Sequence, residues 1–203
     1  MDATDLDADE LLQLALRHIA DEDLEGALIR LKRLVALDAG HANGTYLLGS
    51  VHAQLGLLER AADEIGRACE LEPELWTAHF QLGLLRVGLG DGEGALAAWA
   101  PLEQLAEDDL LRVFGGAMTL WLTGESEAAL AAFDRGLAAL DPDDPLRADM
   151  TAMRAAAASE LEADAANVAT TPTPGSGDGL APAASPAARR ALLTRYEDGE
   201  STD

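Results

Sequence analysis

Four histidines are the side chains of this sequence with the strongest potential for metal or acid–base chemistry. A zinc enzyme typically carries two histidines one helical turn apart beside a carboxylate, because both rings must reach the same ion. No pair of histidines has that spacing, and His18 and His52 are separated by one full period of the repeat described below. This separation predicts equivalent positions in two copies of a repeat, where the rings pack between helices. The four histidines are His18, His41, His52 and His79.

Cys69 is the one cysteine of the chain, which excludes an intramolecular disulfide and a thiolate metal cluster. It lies on the apolar stripe of a predicted helix, so a packing role is expected. The sequence contains no nucleophile–base arrangement and no glycine-rich phosphate loop. We therefore expect no enzyme activity, no catalytic residue, no cofactor and no bound metal.

The charge of the chain restricts its partners. Nucleic acids and anionic membrane surfaces are bound by clustered lysine and arginine, whereas 14 basic residues stand here against 37 acidic ones, a net charge of −23. The N-terminal segment has no basic and apolar signal-peptide pattern, and no run of about 18 uncharged apolar residues follows. We expect a cytoplasmic protein that binds another protein, with no nucleic-acid binding and no membrane insertion.

The elements that position these residues follow from a repeat with a period of about 34 residues. An alanine recurs at this spacing four times, and a bulky apolar residue follows each alanine after four residues. Because alanine and leucine dominate while aromatic residues make up only 4%, the repeated element is predicted to be helical. The pairs are Ala27 and Leu31, Ala61 and Ile65, Ala95 and Trp99, and Ala129 and Phe133.

Small residues recur with the same period, and each set has a physical reason. Gly49 and Gly83 are expected where two helices cross closely, with Ala15 and Ala117 in the other repeats, because a larger side chain would force the helices apart. A second set is expected at the turn between the helices, where a left-handed backbone costs little without a Cβ. That set is Gly56, Gly90 and Gly124.

These landmarks resemble the tetratricopeptide repeat (TPR), a helix–turn–helix unit of the same period. The resemblance implies an all-α, right-handed solenoid with repeats at 8–41, 42–75, 76–109 and 110–143. Some positions depart from the pattern: Thr45 and His79 replace a tryptophan, Gly116 replaces a leucine, and Pro101 should kink a second helix. The chain is also loosely similar to type III secretion chaperones of the translocator class.

Beyond the repeats, Asp143-Asp144-Pro145 predicts the start of a helix that covers the end of the solenoid. The capping helix itself is expected at 145–164, and the part of the chain assigned to it is 144–164. Residues 165–186 are predicted to be a flexible, disordered linker, and 187–203 a C-terminal segment with a possible short linear motif. The capping helix should bury an apolar stripe of Leu146, Met150, Met153, Ala157 and Leu161.

The resemblance also implies a peptide-binding groove, because the first helix of each TPR lines the concave face of the solenoid. Most residues at these positions are apolar or aromatic, which favours an apolar partner segment. In the alternative interpretation the register is shifted and some of these residues belong to the core. The predicted lining is Leu12, Leu16, Ile19, Tyr46, Ser50, Ala53, Phe80, Leu84, Val87, Phe114, Met118 and Trp121.

The composition of this lining argues against one TPR subfamily. Heat-shock co-chaperones bind a terminal carboxylate with Lys, Asn and Arg at these positions, where this chain has residues such as Tyr46, Phe80 and Gln81. Arg86 occupies the interior position that His18 and His52 fill in other repeats, so it is expected either to pair with an acidic neighbour or to contact a ligand in the groove.

The C-terminal segment has the opposite charge to the repeats. Residues 1–164 contain 32 acidic and 11 basic residues, whereas 187–195 contain three arginines and no acid. Residues 187–196 are therefore predicted to occupy the groove in the absence of a partner, in the same chain or in a second copy. The alternative is a disordered end without this role. The motif consists of Arg189, Arg190, Leu192, Leu193, Arg195 and Tyr196.

The repeat and its apolar lining together predict a protein-interaction scaffold, adaptor or secretion-type chaperone that holds an apolar segment of a partner in the groove. The alternative is a structural subunit of a larger bacterial assembly, which would pack through its convex or terminal surfaces.

Overall fold

The structure is a computed structural model that describes residues 6–170. All regular structure within this range is helical. The helices are α1 (Ala8–Ala20), α2 (Leu24–Leu37), α3 (Ala42–Gln54), α4 (Leu58–Leu71), α5 (Trp76–Gly88), α6 (Gly92–Trp99), a 3₁₀ helix (Ala100–Gln104), α7 (Leu110–Leu122), α8 (Ser126–Ala139) and α9 (Leu146–Thr170). None of the helices in this range has the length and apolar character required to cross a membrane.

The helices alternate with the period of the sequence. The first helix of each pair begins at Ala8, Ala42, Trp76 and Leu110, the first residues of the four predicted repeats. The second helix begins at the same offset from the first each time, at Leu24, Leu58, Gly92 and Ser126. The helical starts therefore follow the period of the sequence without a slip.

The chain forms two compact units, unit 1 up to Leu82 and unit 2 from Gly83 onward, and the boundary falls within α5. In unit 1, apolar faces of α1, α2 and α3 form the core. Its fully enclosed members include Leu11, Leu31 and Leu34, and partly buried leucines such as Leu12 and Leu47 pack around them.

Aromatic rings and the final helix build the core of unit 2. The ring of Phe133 lies 6.4 Å from that of Phe114 and 6.5 Å from that of Trp121, measured between centroids. Helix α9 packs on α8, and its residues Met150 and Met153 are buried. It therefore covers apolar surface that the last repeat would otherwise expose.

The turns between paired helices have a left-handed residue in every repeat. Gly56, Gly90 and Gly124 have φ angles of 73°, 81° and 85°, as predicted from their spacing. Repeat one carries Glu22 at the equivalent position, with φ of 58°. A glutamate in this conformation is strained, because its Cβ approaches the backbone where glycine has only hydrogen.

The close helix crossings are also present. A Cβ added to Gly49 would lie 2.6 Å from Cγ1 of Ile65, and one added to Gly83 would lie 2.6 Å from Cδ1 of Trp99. Both contacts are too short for a real side chain. The glycines therefore permit the helices of a pair to approach, as their spacing indicates.

The structure differs from the predictions at the ends of α6 and α9. Pro101 does not kink a continuous helix: α6 ends at Trp99 and a 3₁₀ helix follows, because proline lacks the N–H of the α-helical ladder. The limit predicted at residue 164 is wrong, because α9 continues to Thr170. Three of its residues 165–170 are alanine, the strongest helix former, and the first proline after them is Pro172. The other predicted linker residues, 171–186, lie outside the described range.

Candidate protein-binding surfaces

The predicted groove lining divides sharply between buried and accessible residues. Seven of the twelve are buried: Ala53, Phe80, Leu84, Val87, Phe114, Met118 and Trp121. This differs from the open lining that the resemblance implied, and for these residues it agrees with the alternative that some belong to the core. They cannot contact a partner unless the fold opens.

The burial of the α7 residues has a visible cause. Phe114 packs against Phe133, and its ring leaves room on α8 only for the bare backbone of Gly136, where an added Cβ would lie 2.6 Å from Cζ of Phe114. Trp121 is held by α9, because its Nε1 donates a hydrogen bond of 2.8 Å to Oε2 of Glu160. The capping helix therefore removes part of the predicted groove from solvent.

The five accessible residues all lie in unit 1, and we call them the unit 1 face. Leu12, Leu16 and Ile19 form a stripe on α1 at helical spacing, and Leu16 is 40% exposed. In the second repeat, Tyr46 and Ser50 on α3 occupy the positions that Leu12 and Leu16 occupy on α1 in the first. The unit 1 face is thus apolar on α1 and mixed on α3.

The hydroxyl of Ser50 is already occupied by the fold. It donates to the carbonyl of Tyr46 at 3.0 Å and lies 3.2 Å from Oε1 of Gln81 on α5. The contact with Gln81 connects α3 to α5 within unit 1. Ser50 is therefore less available to a partner than Leu16 or Tyr46.

The interior basic positions of repeats one and three each bond to an aspartate. In repeats one and three the basic residue pairs with the aspartate five positions later: Nδ1 of His18 lies 2.8 Å from Oδ2 of Asp23, and a guanidinium N–H of Arg86 donates to Oδ2 of Asp91 at 2.9 Å. The hydrogen bond from the backbone N–H of Gly26 lowers the pKa of Asp23 most, and the hydrogen bond with the His18 side chain lowers it further. Arg86 thus pairs with an acidic neighbour, the first of its two predicted roles.

Sequence reasoning missed a cleft in unit 2. It has a volume of about 410 Å³ and lies between α7 and the α6–3₁₀ segment, and a second cleft of about 380 Å³ lies on the other side of Gly116. No described atom lies within 4 Å of a Cβ added to Gly116. The departure from the repeat pattern at this position was the signal that could have located the cleft.

Within the described range, no three His, Cys, Asp or Glu side chains are grouped so that they could hold a metal ion. Burial raises the pKa of the Cys69 thiol to about 11. The predicted tail motif at 187–196 lies outside the described residues.

No protein-family model and no curated protein matches the sequence. Solved structures do match. The structure of YrrB, described as a TPR protein with an unusual peptide-binding site, is 21% identical with a TM-score of 0.58, covering 96% of this chain and 87% of its own. MamA from Desulfovibrio magneticus RS-1 is 15% identical with a TM-score of 0.60, covering 96% and 97%. The chain has a tetratricopeptide-type helical repeat fold.

A third structure of this type is a TPR protein from Parabacteroides merdae, 20% identical with a TM-score of 0.60, covering 85% of this chain and 68% of that one. At these identities the comparisons establish the TPR fold and leave the ligand open.

Proposed function

We propose that this TPR protein is a non-enzymatic interaction scaffold, an adaptor or secretion-type chaperone, that holds an apolar segment of a protein partner on the unit 1 face. The observation that carries the proposal is the stripe on α1, in which the 40% exposed Leu16 stands between Leu12 and Ile19. Aliphatic side chains at helical spacing with open surface are typical of surfaces that bind a partner helix or strand.

The expected strength of such binding is moderate. Completing the burial of Leu16 and its neighbours contributes less per residue than the roughly 1.5–3 kcal/mol of a fully exposed side chain, because Leu16 is only 40% exposed. Association and ordering costs must be subtracted. Tyr46 adds an amphipathic ring, a residue type enriched at interfaces. We expect micromolar affinity for a short apolar segment.

The charge of the chain supports a choice of partner and of compartment. With a net charge of −23, the protein attracts segments whose apolar residues are flanked by basic ones. Residues 187–196 have this composition, so we propose that they compete with the partner for the unit 1 face, in the same chain or in a second copy. A cytoplasmic location is part of the same proposal.

A second candidate function is a structural subunit of a larger assembly. Unit 1 also exposes large apolar residues outside the unit 1 face, on α2 at Ile29 and Leu37 and at the α3–α4 turn. If these residues make the main contact, the protein is built into an assembly through surfaces that are unrelated to the predicted groove.

Two matched double variants separate these functions. A photo-crosslinking amino acid at position 16 identifies the partner by mass spectrometry, and the purified partner is then titrated by calorimetry. We expect Leu16→Asp with Tyr46→Asp to weaken binding at least tenfold, because both put charge on the apolar face. Ile29→Asp with Leu37→Asp should leave it unchanged. The reverse result would reject the unit 1 face in favour of the structural subunit.

A further inference from the structure

The two clefts beside Gly116 lie at a position where one residue of the repeat is missing a side chain. Residues 14, 48 and 82 are leucines at the equivalent position of the first three repeats, and the fourth repeat has Gly116. Leu48 is buried in the core of unit 1, and Leu14 and Leu82 are partly buried, whereas Gly116 is exposed and an added Cβ would have open space around it. Unit 2 therefore contains an unfilled leucine position that opens to solvent.

The walls of the first cleft are suited to an aliphatic group. Leu96, Trp99 and Leu102 line it from α6 and the 3₁₀ helix, and Gly115 and Thr119 line it from α7. Its volume of about 410 Å³ is near the lower end of the roughly 300–1,000 Å³ found for ligand sites. A single leucine-sized side chain, which the other repeats supply from within, can enter such a site and occupies part of its volume.

Two arginines border the clefts without a carboxylate partner among the described residues. Arg112 lines both clefts and donates one guanidinium N–H to the carbonyl of Leu105 at 2.7 Å. Arg135 lines the second cleft and makes no hydrogen bond or ion pair within the range 6–170. Its equivalent in repeat two, Arg67, donates to the carbonyl of Ala39 at 2.9 Å. The guanidinium of Arg135 is therefore available to a ligand in the described part of the fold.

The lack of ion pairs is informative in a chain with 37 acidic residues. Glu103 and Glu107 also line these clefts, yet neither of these described carboxylates forms an ion pair with Arg112 or Arg135. Arginine presents planar N–H donors that match a carboxylate. The two guanidinium groups can therefore donate hydrogen bonds to a carboxylate, next to the two glutamates that line the same clefts.

From these observations we propose that the clefts at Gly116 bind a protein segment that presents a leucine-sized aliphatic side chain next to a carboxylate. The aliphatic side chain fills the vacant leucine position, and the carboxylate binds Arg112 and Arg135. The inference rests on the proposed function only in taking the ligand to be a protein, and it uses residues remote in sequence from the unit 1 face.

The test uses the full chain, labelled with ¹⁵N, and blocked pentapeptides of serine that carry one leucine and one glutamate at each possible spacing. We expect at least one spacing to shift the amide resonances of Gly115, Gly116 and Thr119 saturably. Replacing the leucine of the peptide by alanine, or its glutamate by glutamine, should each weaken binding about tenfold, because each removes one half of the recognition.

Variants of the protein provide the controls. Gly116→Leu should abolish the saturable shifts while the melting temperature stays equal or rises, since the added side chain fills the cleft. Arg112→Gln with Arg135→Gln should weaken binding of the glutamate peptide about tenfold and leave the glutamine peptide unchanged. Leu16→Asp should not change peptide binding at the clefts. The two proposals can therefore fail independently: loss of binding at the unit 1 face does not imply loss of binding at Gly116, and the reverse also holds.

Several results would overturn the inference. These are the absence of saturable shifts with every peptide, binding that persists in Gly116→Leu, and equal affinity for the glutamate and glutamine peptides. Shifts of the same amides with protein concentration alone would assign the clefts to a second copy of the chain. Shifts caused by Leu192→Ser with Leu193→Ser would assign them to the chain's own C-terminal segment. Either assignment replaces the proposed partner.

Discussion

His52 and Glu64 form a buried pair that joins α3 to α4 within repeat two. Nδ1 of His52 lies 2.5 Å from Oε2 of Glu64, and the imidazole is only 1% exposed. In repeats one and three the partner of the basic residue is the aspartate that begins the second helix, but Leu57 occupies that position here. The acidic partner is supplied further along the second helix instead.

We expect this pair to contribute strongly to the stability of unit 1. Glu64→Ala leaves the buried imidazole without its partner and should lower the free energy of unfolding by about 2–4 kcal/mol. A double-mutant cycle with His52→Ala should give a coupling energy of about 1–2 kcal/mol by urea denaturation. Arg60→Ala is the control, since this side chain is exposed and should cost less than about 1 kcal/mol. Additive single effects would contradict the pairing.

Glu22 should be replaceable with a gain in stability. Its φ of 58° is left-handed, and the equivalent residue of the other repeats is glycine. Glu22→Gly removes the strain, which exceeds the entropy that glycine adds to the unfolded chain, so the free energy of unfolding should rise by about 0.5–1 kcal/mol. Asp21→Gly, at a residue with φ of −88°, should not stabilise the protein. Equal effects in urea denaturation would show that Glu22 is unstrained.

Two glycines of α5 should respond oppositely to alanine. Gly83→Ala places a methyl group into Trp99 and should cost about 1–3 kcal/mol by overpacking. Gly88→Ala meets nothing within 4 Å, so it should be neutral or stabilise by up to about 1 kcal/mol through helix propensity. Circular dichroism during thermal unfolding measures both. A neutral Gly83→Ala would mean that the two helices are not closely packed there.

The Cys69 thiol should react slowly in the folded protein. Burial raises its pKa from 9.0 to about 11, so at pH 8 the folded chain has roughly a hundredth of the thiolate of the unfolded chain. Reaction with a disulfide reagent followed by absorbance should be slowed about a hundredfold or more relative to the same protein in urea. Because the folded pKa is raised, the stability from the neutral thiol is also lost as pH rises above 9. Rapid native labelling would contradict the burial.

The Asp134–Arg154 pair should contribute to the fall in the free energy of unfolding at acidic pH. Arg154 on α9 donates two hydrogen bonds to Asp134 on α8, and this lowers the pKa of Asp134 below 3.8. A lowered folded pKa means that its stabilisation is present above pH 3.8 and is lost as pH falls through the lower value. NMR titration of the carboxyl should show the pKa returning toward 3.8 in Arg154→Gln. An unchanged pKa would show that the ion pair does not form in solution.

The sequence alone determined the repeating architecture. The periodic helix starts, the turn glycines and the small residues at helix crossings depend on backbone conformation and on contacts within one helix pair. These are properties of residues near each other in the chain, so they leave a regular pattern. The helical start after Asp144 follows the same local rule, because Oδ1 of Asp144 accepts the N–H of Leu146.

Only the tertiary structure decided which surfaces are accessible. The periodicity places Trp121 on one face of α7, but its burial depends on Glu160, 39 residues later on a different helix. Conversely, the missing side chain at Gly116 becomes a cleft only because Leu96, Trp99 and Leu102 stand opposite without filling it. A helical pattern specifies which residues share a face, whereas exposure depends on what packs against that face from distant parts of the chain.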